Sequence, residues 1–418
     1  MTTETKRRRS RGDGGVYQRG SDGLWVGTVD LGYRDGKRRR KAVYGKTKTE
    51  ALRKLRKAQG ELQQYGDLAT NSPTLSKWLD IWLTEIAAQK IKPGTLRMYR
   101  TYVNEYIKPA LGNKRLDKLT PADVRGLARY VMNKGKGLSP TTARNAHRVL
   151  SAALRAAVRE GAVNRNVASR DYVDAPSKAV SDRKGLTAEQ AVKVLKAAKD
   201  DRLYSRWLFA FLTGARQGET LGLRWQYVDL EAGTVELAWS LTQVPWNHGC
   251  SQDKLEHRAD HCPQRHLEIA PGFEYEVLHG NKVLMRPKSN GSHRTVPLAE
   301  PLLRALEARK LDVALERDGH QVDHDLVFCR KTGHPIESRK DWQEWRDLLT
   351  SAGVPPVTLH ETRNTTISLL RELGVDDNTA QQIAGHAEVL TTRGYQRKDD
   401  LRHAREAVGK LGDVLTIE

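Results

Sequence analysis

The polar stretch GDLATNSPT, ending at Thr74, divides two patterns that one domain could not share. Before it, short runs of strand-like residues are separated by glycine turns. After it, apolar residues recur at i, i+3, i+4 and i+7 behind helix-start signals. A chain that changes period in this way folds as separate units, and 418 residues is a length for two or three of them.

In the first part, GGVYQRG, LWVGTVDLG and KRRRKAVYG are separated by Ser21-Asp22-Gly23 and Asp35-Gly36. Asp-Gly between such runs is a hairpin signal, because glycine takes the positive φ that the tight turn needs. Trp25, Val29 and Leu31 share a parity with Gly27, so one face of the sheet is apolar and needs a cover. Thr47 and Glu50 stand in capping-box spacing, and Leu52, Leu55, Leu62 and Tyr65 then form a helical stripe that can supply it. Residues 1–70 hold 18 Lys or Arg against 8 Asp or Glu, about half of the chain's net charge of +20. Such lopsidedness marks a binding arm for a polyanion, with Arg38, Arg39 and Arg40 as candidate DNA contacts.

Past Thr74 the signals are helical. Leu75, Trp78, Leu79, Trp82, Leu83 and Ile86 follow a buried helix face, which assigns the two tryptophans to a core and not to base stacking. Thr120-Pro121 and Ser139-Pro140 each place a capping residue before a first-turn proline. On the second of these helices Val149, Leu150, Ala153, Leu154 and Ala157 face inward, while Arg144, Arg148, Arg155 and Arg159 line the other side without matching acids. An unpaired arginine stripe suits a phosphate backbone, and Arg144, Arg148 and Arg155 are the candidate contacts. The reading is a basic arm domain over 1–70, a helical DNA-clamping domain over 74–175, a polar linker over 176–185, and a third unit over 186–418.

Composition excludes other classes. No apolar run approaches the roughly 20 residues of a membrane-spanning helix, and the basic start MTTETKRRRSRG lacks the apolar core of a signal peptide. Three cysteines, Cys250, Cys262 and Cys329, are too few for a disulfide framework. The expectation is a cytoplasmic, nucleoid-associated protein with double-stranded DNA as its partner and no membrane.

The third unit opens with Thr187 and Gln190 in capping-box spacing and carries the polar motifs. FLTGARQGETLGLRW sets Arg216 between Gly214 and Gly218, whose small size would let a guanidinium approach a ligand closely. RPKSNGSHRTVPL reads as a hairpin with an Asn290-Gly291 turn, presenting Lys288 near its tip. LHETRNT brings His360 and Arg363 to an i, i+3 spacing on a helix that Gly374 ends, and AGHAEVLTTRGYQR follows with His386 and Tyr395.

In that order, and on the strings TGARQGE, RPKSNGSHRTVPL, HETR and GHAEVLTTRGY, the chain resembles the tyrosine recombinase family, in its phage-integrase branch. The match runs from about Thr187 to Arg397; the upstream units resemble the arm-binding and core-binding domains of such integrases more loosely. The implied fold is mixed and mainly α: a three-stranded sheet plus helix, a helical domain, and an α+β catalytic domain. The implied reaction is integration, and in some circumstances excision, of a mobile element through a covalent 3′-phosphotyrosyl intermediate, without ATP or cofactor. It implies a homotetramer on core and arm attachment sites, with an accessory DNA-bending protein and an excision factor as further partners. A chromosome resolvase with the same chemistry, an inactive DNA-binding regulator and a type IB topoisomerase are the alternatives. The basic first domain argues against the first and last, and the intact polar set against the second.

The residue types suit that chemistry. A phosphotyrosine conserves the energy of a broken phosphodiester, so DNA can be rejoined without another energy source. A phenol with a pKa near 10 is a poor nucleophile, so it needs a proton acceptor and an activated phosphate. Guanidinium forks match non-bridging phosphate oxygens, which assigns Arg216 and Arg363 to the transition-state charge. The resemblance assigns Tyr395 as nucleophile, Lys288 as proton donor to the leaving 5′-hydroxyl, His360 as acid/base, His386 as a phosphate hydrogen-bond donor, and Glu219 as the residue that orients the arginine. Glu361-Thr362, Asn364 and Ala384 depart from the commoner family residues around these motifs. A larger departure is the insert of about 244–282, which holds Cys250, Cys262, His248, His257, His261 and His266. Its cysteine spacing matches no common zinc pattern, so an extended surface loop with no stoichiometric metal is expected.

Overall fold

The computed structural model describes residues 15–34, 37–65, 72–134, 137–179, 185–250, 257–286, 293–317, 322–385 and 398–416. Lys288, His386, Tyr395, Arg7 to Arg9 and the Asp35-Gly36 turn lie outside the described residues. Packing divides the chain into two units, Met1–Val180 and Ser181–Glu418, a boundary inside the expected linker.

The first unit begins with an antiparallel sheet of order β1-β2-β3, formed by Val16–Gln18, Trp25–Arg34 and Lys37–Gly45. Helix α1, Lys48–Tyr65, covers one face. The Thr47 hydroxyl accepts from the Glu50 N–H at 3.2 Å, while the Glu50 carboxylate takes the Lys46 N–H at 2.9 Å. The buried stripe differs from the expected one: Ala51, Leu55 and Ala58 are buried and Leu62 is half-buried, with Leu52 off the seam. The reason is proximity. A Cβ on Gly45 would lie 2.6 Å from the Ala51 nitrogen, and one on Gly27 would lie 3.3 Å from Leu55, so helix and sheet meet through small residues.

The helical part follows with its own core. Helix α2, Leu75–Ile81, is capped by Thr74 and continues as a π-turn over Trp82–Ala87. Then come α3 (Pro93–Tyr102), a second π-turn (Val103–Ile107), α4 (Lys108–Leu111), α5 (Pro121–Asn133) and α6 (Pro140–Arg159). Thr120 and Ser139 cap the last two, as their Pro-containing starts predict. Trp78 and Trp82 are core residues: both are buried, and the Trp78 indole N–H donates to the Ala153 carbonyl at 2.9 Å.

The second unit alternates helices with small sheets. Helices α7 (Ala188–Ala197), α8 (Tyr204–Thr213) and α9 (Gln217–Leu221) lead into β4 (Val228–Asp229), β5 (Thr234–Leu237) and β6 (Ser240–Gln243). The insert supplies β7 (Trp246–Asn247), β8 (His266–Leu267) and β9 (Tyr275–His279), followed by β10 (Lys282–Met285) and β11 (Arg294–Pro297). Five helices close the chain: α10 (Glu300–Arg317), α11 (Ser338–Ser351), α12 (Leu359–Glu372), α13 (Asp377–Ala384) and α14 (Lys398–Leu415).

The strands on either side of 287–292 correct the hairpin expectation. β10 is the middle strand of β6-β10-β9, and β11 is an edge of β11-β5-β4. Both edges of β10 already carry ladders, so it has no hydrogen-bonding groups left for β11. β10 and β11 therefore belong to different sheets and do not pair as one hairpin, while the Asn290-Gly291 turn itself lies outside the described residues.

Candidate active site

The site is assembled where α8, α9, β11, α12 and α13 meet. Helix α8 ends at Gly214, whose φ of +58° is the left-handed cap that turns the chain sharply toward Arg216. A buried bidentate pair holds this corner: Arg206 on α8 donates to Asp341 on α11 at 2.6 and 2.8 Å, and Gln217 on α9 donates to the same carboxylate at 2.8 Å. Removing one partner of such a pair costs about 3–5 kcal/mol, because the other charge is left buried alone.

Arg216 is the N-cap of α9, and Glu219 grips it twice. The carboxylate accepts the Arg216 backbone N–H at 3.0 Å and its Nη1 at 2.7 Å. The guanidinium is 39% exposed, whereas Glu219 is buried. Burial would raise the Glu219 carboxyl's pKa, but Arg294 and then Arg216 outweigh it and hold it below the ordinary range. Gly218 has a different purpose from the expected one. A Cβ there would lie 2.4 Å from the Ser240 hydroxyl and 2.8 Å from the Leu241 carbonyl, so its smallness admits β6 and not a ligand.

Arg294 was not among the residues singled out in the sequence. It starts β11 with its side chain buried, donating to Glu219 at 3.2 Å and to the Ile383 carbonyl at 3.0 Å. Its signal was parity: in RTVPL it shares the inward face with Val296, and an arginine on the buried side of a strand needs a buried partner.

Arg363 comes from the first turns of α12 and is 1% exposed. Its Nη1 donates to the Gly214 carbonyl at 2.9 Å, while Nε and Nη2 are buried with no partner among the described residues. Burial first, then Arg216 and Arg294, lower its pKa to about 9, with Glu219 offsetting part of this. Three guanidiniums thus cluster around one carboxylate, which Arg216 and Arg294 hydrogen-bond, leaving an excess of positive charge and three buried donors without a partner among the described residues, Arg363 Nε and Nη2 and Arg294 Nη1. A tetrahedral oxyanion would satisfy both. His360, one turn earlier on α12, is exposed, so the expected shared direction with Arg363 holds for the helix but not for burial.

Helix α13 delivers the chain to this floor. Its cap Gly385 has φ +73°, its carbonyl accepts from Arg216 Nη2 at 3.2 Å, and a Cβ on it would lie 2.6 Å from Arg294 Nη1. The residue preceding His386 thus rests on two of the three arginines. Gly385→Ala should cost about 1–3 kcal/mol through the positive φ and the displaced Arg294. The check is a lowered melting temperature with unchanged helix content by circular dichroism; an unaltered Tm would contradict the contact.

The candidate DNA contacts divide. On α6, Arg148 and Arg155 are exposed, while Arg144 is half-buried and donates to the Pro176 carbonyl at 3.2 Å; all three line one open cleft together with Arg170. On β3 the two-residue period splits the arginine triplet. Arg38 and Arg40 share the open face with exposed Tyr44, and Arg38 pairs with Asp30 at 3.0 Å, while Arg39 lies on the half-buried side.

The profile of the Phage integrase family matches residues 276–402, and that of the phage integrase N-terminal SAM-like domain matches residues 74–132. The chain is a tyrosine recombinase of the phage-integrase type. The recombinase is 29% identical to an integrase of Saccharopolyspora erythraea over 420 residues, covering 95% of this chain and 96% of the relative. In fold it is similar to the Tn1549 transposon integrase solved with transposon right end DNA, with a TM-score of 0.59, 19% identity, and coverage of 80% and 99% of the two chains. It is also similar to the lambda integrase tetramer bound to a Holliday junction, with a TM-score of 0.50, 19% identity, and coverage of 92% and 97%. The catalytic-family match begins after β8, so it includes Lys288, His360, Arg363, His386 and Tyr395 but not Arg216. What joins Arg216 to this recombinase's site is the geometry shared with Arg294 and Gly385.

Proposed function

We propose that the protein is the site-specific integrase of a mobile element, and that Arg216 and Arg363 bind the scissile phosphate of its core site. The observation that carries this reading is the Arg363 guanidinium, buried with two unpartnered donors beside a carboxylate-oriented Arg216. In the proposed reaction the Tyr395 oxygen attacks phosphorus, and His360 takes the phenolic proton. The bond to the 5′ oxygen breaks, and Lys288 supplies the proton that makes it a free 5′-hydroxyl. The 3′-phosphotyrosyl bond that remains is reversed by an incoming 5′-hydroxyl, which needs no nucleotide. His386 donates to the phosphate. The guanidinium forks stabilise the extra equatorial charge as it develops.

The exposed Arg148 and Arg155 on α6, with Arg144 and Arg170 in the same cleft, support residues 74–175 as the core-binding domain. The open face of the first sheet, with Arg38, Arg40, Tyr17 and Tyr44, supports residues 1–70 as the arm-binding domain. Each protomer has one Tyr395, so two duplexes exchanging four strands call for a tetramer. The test is a nicked duplex carrying the core sequence that flanks the gene: a protein–DNA adduct stable to denaturant should form in EDTA without ATP. A strict need for a divalent ion, or no adduct on any flanking sequence, would defeat the reading.

The arm assignment has its own test. Deletion of residues 1–70 should leave cleavage of the nicked core within a few-fold of the full chain, because core phosphate contacts carry that binding. Recombination between complete attachment sites should fall at least about 100-fold, since linked contacts multiply affinity by roughly that factor or more. Equal recombination by both forms would show that the sheet domain does not bind arm sites.

A further inference from the structure

The sequence H-G-C followed by H at 257 and C at 262 puts four metal-ligating side chains in fifteen residues of the insert, in an order that matches no common zinc motif. Folding makes them a cluster. β7 and β8 pair antiparallel, Trp246 opposite Leu267 and Asn247 opposite His266, which draws the ends of the intervening loop together. A 3₁₀ turn at Ala259–His261 then brings Cys262 beside Cys250. The Cys250 sulfur lies 3.5 Å from the Cys262 sulfur, 3.7 Å from His248 Nδ1 and 3.7 Å from His257 Nε2. All four ligand atoms fall within 4.8 Å of one another.

The three distances that meet at the Cys250 sulfur are close to the edges of a coordination tetrahedron. With Zn–S near 2.3 Å and Zn–N near 2.0–2.1 Å, its edges are about 3.8 Å between two sulfurs and about 3.6 Å between sulfur and nitrogen. Two sulfurs 3.5 Å apart are not a disulfide, which requires about 2.05 Å, and both cysteines are free thiols.

Two further observations indicate that the loop is built around this point. A Cβ on Gly249, between His248 and Cys250, would lie 2.1 Å from the Gln264 carbonyl oxygen. The two arms are therefore pressed together where only glycine fits, just behind the four ligands. Between Val244 and Ala270, moreover, Cys262 is the one buried hydrophobic residue among those described. The apolar cluster of Val244, Val283 and Met285, with Leu267, Ile269 and Phe273, includes the β7–β8 pair only through Leu267 and contains none of the residues described between Asn247 and His266. A loop with so little apolar burial cannot offset its own ordering entropy and needs a staple.

We propose that His248, Cys250, His257 and Cys262 hold one structural zinc ion, with two thiolates and two imidazoles filling all four positions. The charge balances: two thiolates neutralise the dication, so the site adds no field to the arginine cluster. No open coordination position is left for substrate, which gives the ion a folding role and no part in strand cleavage. The inference replaces the metal-free surface loop expected from cysteine spacing alone, and it does not depend on the recombinase mechanism.

The full chain, purified in reductant without chelator, should contain about one zinc per chain by elemental analysis. Cys250→Ser and Cys262→Ser should each drop this at least about tenfold, while Cys329→Ser, at a buried cysteine outside the cluster, should retain it. Should either serine variant aggregate, cobalt exchange into the wild-type chain decides the matter. A tetrahedral site with two thiolates gives intense visible d–d bands and a near-ultraviolet thiolate-to-metal band, and chelation should abolish both. A metal-free chain that takes up neither ion under reducing conditions would overturn the proposal. So would full zinc retention by both serine variants, or a Cys250–Cys262 disulfide in the intact mass of protein made in a reducing cytosol.

Discussion

Tyr395→Phe protein should form no covalent adduct with a nicked core duplex, under conditions where the wild-type chain converts a measurable fraction within minutes. The substitution removes one oxygen atom, and that atom is the proposed nucleophile. Loss should therefore reach the limit of detection, well beyond the 10²–10³-fold typical of removing a single stabilising donor. Binding of the same duplex should change by less than about threefold, because affinity comes mainly from phosphate contacts elsewhere. Digestion of the wild-type adduct should leave the nucleotide linked through its 3′ phosphate to the peptide that contains Tyr395. An adduct formed by the Phe variant, or one mapped to another residue, would refute the assignment.

Arg363→Met should disable the enzyme without weakening its fold. At neutral pH Arg363 is charged, yet burial and two neighbouring guanidiniums hold its pKa to about 9, far below its ordinary value. A cation whose folded pKa is depressed costs the native state stability below that pKa, and the cost is relieved only as pH rises through about 9. Methionine has similar reach and no charge, so its loss of the Gly214 hydrogen bond is set against release of that penalty. The melting temperature at pH 7 should therefore not fall. Cleavage should drop at least about 1000-fold, at the upper end for a transition-state donor. Sulfate, which can occupy the two unused Arg363 donors, should raise the wild-type Tm by more than the variant's, which keeps only the general stabilisation by this salt and the remaining arginines. A variant that cleaves within tenfold of wild type, or melts well below it, would show that Arg363 is a structural residue.

How much of this was legible in the chain depended on the range of the interaction concerned. Local signals read well: Thr120-Pro121 and Ser139-Pro140 start helices where they stand, and the Trp78 and Trp82 periodicity describes a real core face. The π-turns at Trp82–Ala87 and Val103–Ile107 leave no comparable mark, because an i→i+5 bond changes the helical phase by less than the apolar stripe tolerates. The strands around Lys288 misled for a different reason. Asn-Gly describes a tight turn, but which strands pair is decided by competition for ladder edges, and β10 is taken on both sides.

The site divides in the same way. Arg216 and Arg363 were identifiable by type and order, but their charge balance was not. It depends on Arg294, a residue 75 positions from Glu219 that meets it only when β11 and α9 are placed together. The zinc ligands were visible as letters and hidden as a set. Two-residue strands bring them together, and two residues are too few to carry a period.

The pairing of β6 with β10 has one more consequence. Gln243 stands opposite Lys282, and the Val244 N–H donates to the Asn281 carbonyl at 3.0 Å, so the chain leaves the sheet and returns to it at neighbouring points. Within that span β9 pairs with β10 and Leu278 joins the main core, so the part whose length is of little consequence to the rest of the domain is the module between Trp246 and Leu267. Lengthening it moves neither Ser240, which contacts the Arg216 turn, nor Met285, from which the chain runs on to Lys288. Such a junction is a natural grafting point: lineages could acquire, exchange or discard a small module there while recombination continued, so long as its base still covered Val283 and Met285. The same seam is where a reporter domain or a ligand-gated switch could be spliced into an enzyme of this kind.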